Sequence, residues 1–177
     1  MNNSSIHQFL MKHAPFLALF FIVEYTLSFA VIQVPVLALL LLPMKFVTPF
    51  LLYWFIKKLR NQELGGVIRG LHAWTYGVQL MLFAGLIEAA FIFVYHSVID
   101  PDAALRLQQY QFQALEQLQP FLGSDSASLS EMMAQAQEAP LPTAIEMAVS
   151  MLTNDIMIGM FLMLLVAPIV RRRAVQE

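Results

Sequence analysis

The chain has 177 residues, of which 59% are hydrophobic and only 12% charged, with a mean hydropathy of +0.66 and a formal net charge of −2. A soluble domain carries about 25% charged residues to coat its surface, so half that share excludes a water-soluble globular protein, and a near-neutral balance offers nucleic acid no footing. There is no cysteine, which excludes a disulfide framework, a thiolate metal site and CxxC redox chemistry.

A helix needs about 20 apolar residues to cross the hydrocarbon core, and the segments that qualify fall in one expected domain, 1–177. The first spans about 15–34, reading PFLALFFIVEYTLSFAVIQV. Pro15 suits a first helical turn, where its missing N–H is no loss, and Pro35 marks the exit. Lys12 and His13 resemble the n-region of a signal peptide, but the apolar stretch is too long and lacks a small-x-small cleavage pattern. A retained anchor is expected. The second spans about 36–56, carries Pro43 and Pro49, and stops at Lys57, Lys58 and Arg60, which predicts a kinked helix. The third spans about 71–99; the fourth spans about 144–170 and ends at Arg171, Arg172 and Arg173. The expected fold is an all-α membrane protein with four transmembrane helices.

Direction follows from lysine and arginine in the short flanking segments. Lys12, the run Lys57, Lys58, Arg60 and Arg69, and the three arginines of the tail fall on one side only if the crossings number four. Both termini are then expected in the cytoplasm of a cell with the protein in its inner membrane. The outward segment, 100–142, has one base, Arg106, against Asp100, Asp102, Glu116, Asp125, Glu131 and Glu138. Asp100-Pro101 reads as an N-cap followed by proline at the first helical position. Leu107, Ala114, Leu115, Leu118 and Leu122 then recur at helical spacing among glutamines. Ser128 to Glu131 has the form of a capping box ahead of Leu129, Met132, Met133 and Ala136, and Thr143 with Glu146 repeats it at the head of the last span. Two short amphipathic helices are expected, resting on the bundle mouth or the lipid interface, or docking a partner.

Four charged residues fall deep inside the spans: Glu24, Lys45, Glu88 and Asp155, one per helix. At a rise of about 1.5 Å per residue, Glu24 and Lys45 lie roughly 13–17 Å from the cytoplasmic edge, and Glu88 and Asp155 roughly 22 Å. Each costs about 2.5–3.5 kcal/mol at a helix centre, so they are expected to face inward and meet. Gly77, Ala84 and Gly85 share a face with Glu88, and Ala148 and Gly159 share one with Asp155; small residues permit close helix packing. Lys45 is expected to pair with Glu24 or Glu88, and three acids with one base cannot all be charged in a dry pocket. The cluster is either a fixed polar clamp that sets helix register or a site for protons or ions.

Catalytic signatures are missing: there is no HExxH, GxSxG, P-loop or dinucleotide fingerprint. His13 and His72 near the cytoplasmic edge make a weak haem pair, and no cofactor, metal or catalytic residue is assigned. Lys57, Lys58, Arg60, Arg171, Arg172 and Arg173 are expected to anchor the bundle to the lipid bilayer, with Tyr53, Trp54, Trp74 and Tyr76 as an aromatic belt.

The run AGLIEAAFIFVYHSVIDPD, residues 84–102, resembles the third span and following Ile-Asp-Pro of the small four-helix membrane proteins classed as domain of unknown function 4199. The acid in the first span, the glycine-containing turn before the third span and the Gln/Glu-rich helix after Ile99-Asp100-Pro101 are similar as well. The resemblance implies a bacterial inner-membrane protein of Bacteroidota-like origin, with no assigned activity. From the residues themselves, the expected function is non-enzymatic: a membrane subunit that acts as a homo-oligomer or with a membrane-protein partner. The alternative is a small proton- or cation-coupled transporter built on Glu24, Lys45, Glu88 and Asp155.

Overall fold

Apolar side chains at three- and four-residue spacing drive the first helix. Ile6, Phe9, Leu10, Ala14, Leu17, Ala18 and Phe21 share one buried face, and they carry α1 over Asn3–Gln33. The computed structural model, which describes residues 3–118 and 140–172, thus places Pro15 inside α1 and not in its first turn. Each fully buried aliphatic or aromatic side chain is worth about 1.5–3 kcal/mol, so Ile6, Phe9 and Leu10 outweigh the roughly 3 kcal/mol cost of an interior proline.

A 3₁₀ turn over Pro35–Leu37 leads into α2, Ala38–Glu63, which passes unbroken through Pro43 and Pro49. The helix continues past the expected stop at residue 56 because Leu59 is fully buried on the same face as Leu52, Phe55 and Ile56. Gly65 and Gly66 then close the turn with φ of 61° and 83°, a region open to glycine without a Cβ penalty. The Gly66 amide returns to the Arg60 carbonyl at 2.9 Å.

α3 spans Gly70–Val94 and ends in one π-helical turn, Tyr95–Ile99, closed by the Asp100 amide donating to the Tyr95 carbonyl at 2.8 Å. α4 spans Ala103–Leu118. It starts after a turn rather than at Pro101: the Ala103 amide donates to the Asp100 carbonyl at 3.2 Å, the Asp102 carbonyl accepts from the Arg106 amide at 3.1 Å, and the Asp100 carboxylate pairs with the Arg106 guanidinium. The expected second amphipathic helix near 128–136 lies outside the described residues. α5, Ala144–Val170, opens on a complete capping box: the Glu146 amide donates to the Thr143 hydroxyl, and the Thr143 amide donates to the Glu146 carboxylate at 2.7 Å.

Among the described residues, four helices are long and apolar enough to cross a membrane: α1, α2, α3 with its π turn, and α5. The fold is an all-α four-helix membrane bundle. α3 packs against α1 on one side and, most broadly, against α5 on the other; α2 closes the ring by touching α1 and α5, opposite α3. The tight core lies toward the basic end of the bundle, where Leu10, Leu17, Leu52, Ile56, Leu80, Met163 and Val170 are buried. Protein ties reinforce it there. Arg60 donates to the Val170 carbonyl at 2.8 Å, Lys58 donates to His13 at 3.1 Å, and Ile68 and Arg172 form an antiparallel bridge. Toward the acidic end the packing opens, and no residue of α2 between Ala38 and Val47 is buried.

Candidate functional site

Where the ring of helices opens, it borders a half-open cavity of about 280 Å³ lined by Glu24, Lys45, Glu88 and Asp155, one from each spanning helix. Helical spacing explains the inward aim. On α3, Gly77, Met81, Ala84, Gly85, Glu88 and Ile92 form one buried face; on α5, Ala148, Asp155, Gly159, Met163 and Val166 do the same. These faces interlock through their glycines. Met163 occupies the space at Gly77, and Met81 that at Gly159. A Cβ at Gly85 would stand 3.3 Å from Asp155 Oδ2, so Gly85 leaves the room in which that carboxylate sits.

Glu88 is 1% exposed, Glu24 7% and Asp155 8%. The ammonium of Lys45 lies against Glu24, yet the Lys45 side chain is 68% exposed, so the pair sits at an open side of the bundle. The Glu88 and Asp155 carboxyl groups meet within hydrogen-bonding reach of each other. Glu88 Oε2 and Asp155 Oδ2 have no donor among the described residues. Two carboxylates cannot hydrogen-bond, so their contact is satisfied only when a proton or a cation sits between them. Ser28, Thr48 and Asn154 add polar groups to the wall, while Phe21, Leu41, Met81 and Ile158 supply its apolar part.

A second polar contact joins the cavity to the acidic end. Tyr25 lines the cavity, and its hydroxyl lies 2.6 Å from Nε2 of His96, which the π turn of α3 holds 6% exposed. Phe29 and Tyr95 pack around both rings. Neither residue is a candidate on sequence grounds. The available signal was spacing, since Glu88, Ile92 and His96 recur every fourth residue on one helix face.

The remaining expected residues lie at the basic end. Lys57 stands over the Tyr53 ring at 5.4 Å and Lys58 over Trp54 at 5.0 Å. Lys58, Arg60 and Arg172 bind protein groups, as described above, while Arg171 packs at Gly70 and Arg173 lies outside the described residues. His13 donates through Nδ1 to the Phe9 carbonyl at 2.8 Å and accepts from Lys58, which leaves its ring no free nitrogen for a metal. His72 stacks on Tyr76.

Comparison with curated proteins and with solved structures returns no match. Residues 14–172, which include α2, α3, α5, most of α1 and every cavity residue named above, match the family described as "Protein of unknown function (DUF4199)", and the chain belongs to that family.

Proposed function

We propose that the protein is a non-enzymatic component of a bacterial inner membrane that works by association, with itself or with another membrane protein, through the side where α2 leaves the cavity open. The observation that carries this reading is Lys45. A lysine at membrane depth costs about 2.5–3.5 kcal/mol when it faces acyl chains, and this side chain is 68% exposed in the isolated bundle. A protein surface over that opening removes the cost. The basic end of the bundle faces the cytoplasm in this reading, with both termini, because lysine and arginine concentrate there.

The absence of cysteine makes the test clean. Single cysteines at Leu42 and Phe46, both on the exposed half of α2, are expected to cross-link in native membranes with a short bis-maleimide. A cysteine at Leu165, on the outer face of α5, serves as the control. A clean monomer by native mass spectrometry, with no co-purifying protein and no cross-link at Leu42 or Phe46, overturns the proposal. A second reading, a small proton- or cation-coupled carrier, is favoured by the convergence of four ionisable groups on one cavity. Its signature is liposome flux that disappears in Glu88→Gln.

A further inference from the structure

We infer that Glu88 and Asp155 form an intramembrane proton-binding site, and that the Tyr25–His96 pair is the proton route between it and the acidic end of the bundle. The inference uses the cavity on which the carrier reading rests, but it concerns where a proton resides and how it arrives, and it holds whether or not anything is transported.

Three observations converge. The carboxyl groups of Glu88 and Asp155 abut with Glu88 Oε2 and Asp155 Oδ2 lacking any donor among the described residues, so the pair is complete with one shared proton. The cavity beside them admits a proton carrier: Tyr25 shares its wall, and the Tyr25 hydroxyl is hydrogen-bonded to His96 Nε2. Nδ1 of His96, on the opposite flank of the ring, is buried without a partner among the described residues, where an incoming proton can be received.

The relay balances as a pure proton transfer. A proton adds at His96 Nδ1, the Nε2 proton passes to the Tyr25 oxygen, and the Tyr25 O–H proton passes to the carboxylate pair across the cavity whose wall Tyr25 shares with Glu88 and Asp155. One proton enters and one is delivered, and the ring ends as its Nδ1–H tautomer. The charged and titratable groups around the carboxyl pair are Glu24 and Tyr25 on α1 and Lys45 on α2. Those around His96 are Tyr25 on α1, with Tyr95 and Asp100 on its own chain segment, and Arg106 of α4 bound to Asp100. Lys45 is already engaged by Glu24, so it leaves the Glu88–Asp155 pair short of one positive charge.

Infrared difference spectroscopy of the full chain in lipid nanodiscs tests both halves, with the solvent proton and deuteron as probes. At neutral pH the wild type is expected to show the C=O stretch of a buried protonated carboxyl, and both Glu88→Gln and Asp155→Asn are expected to remove or shift it. Having two variants guards against one that fails to fold, and the wild-type band stands by itself. On transfer to D₂O, Tyr25→Phe and His96→Phe, which keep the aromatic packing, are expected to leave the band in place. Both are expected to slow its deuterium shift by about a hundredfold, the low end for loss of a positioned proton-transfer group. A wild type with no protonated-carboxyl band overturns the site. A band that exchanges at the wild-type rate in both phenylalanine variants overturns the route. A band with no accompanying flux in liposomes discards the carrier reading and leaves this inference standing.

Discussion

The ammonium of Lys45 and the carboxylate of Glu24 are held together with unequal surroundings, the acid 7% exposed and the lysine side chain 68% exposed. The acid is therefore the member that suffers when the pair is broken. Lys45→Met strands a buried carboxylate, and the expected loss is about 2.5–3.5 kcal/mol, the range for an uncompensated charge at membrane depth. Glu24→Gln combined with Lys45→Met is expected to recover most of that loss, because no charge is then left unpaired. Unfolding of the three variants in mixed micelles measures the coupling, and strictly additive effects would show that the pair contributes nothing. These two residues were legible in the sequence, together with Glu88 and Asp155, because a charge within an apolar run has few alternatives to facing inward. Tyr25 and His96 were not. Neither is foreign to a membrane span, and although His96 keeps the four-residue spacing of Glu88 and Ile92, its contact with Tyr25 is made from a π turn.

Between elements, the broadest packing is that of α3 and α5, and it is asymmetric along its length. A Cβ at Gly159 would stand 2.7 Å from Met81 Cγ and 2.9 Å from Met81 Cβ, atoms held close to the α3 backbone. At Gly77 the obstacle includes the Sδ and Cε of Met163, the far end of a flexible chain. Gly159→Ala is expected to cost about 1–3 kcal/mol by overpacking, and Gly77→Ala less than about 1 kcal/mol. Equilibrium unfolding in detergent ranks them, and the reverse order would mean that the Met163 side chain has nowhere to go. Glycines spaced on one helix face made this interface readable beforehand, since only small residues let two spans approach. The helix ends were harder to read. Pro15 has the grammar of a helix start, but the chain before it buries Ile6, Phe9 and Leu10, and burial outweighs local propensity. For the same reason α2 continues beyond its basic residues to bury Leu59.

For the whole molecule, hydropathy and the placement of lysine and arginine define the number of spans and put all the basic segments at one end. They say nothing of which helix neighbours which, because lipid-facing and protein-facing leucines look alike in sequence. The ring order, with α2 opposite α3 and only half of α2 packed, emerges in three dimensions and explains why the core is tight at the basic end and open at the other. Orientation is the property that joins both levels. If the basic end faces the cytoplasm, the cavity and the Tyr25–His96 contact open toward the outer side, and a proton reaching His96 comes from outside. The native chain contributes no thiol, so single cysteines report this directly. A cysteine at Gln62, exposed in the last turn of α2, is expected to be protected from a membrane-impermeant maleimide in intact spheroplasts and labelled after lysis. A cysteine at Asp102, exposed in the turn before α4, is expected to be labelled in both. The opposite pattern would invert the bundle and place the mouth beside His96 in the cytoplasm, while labelling of both sites in intact cells would break the four-crossing topology itself.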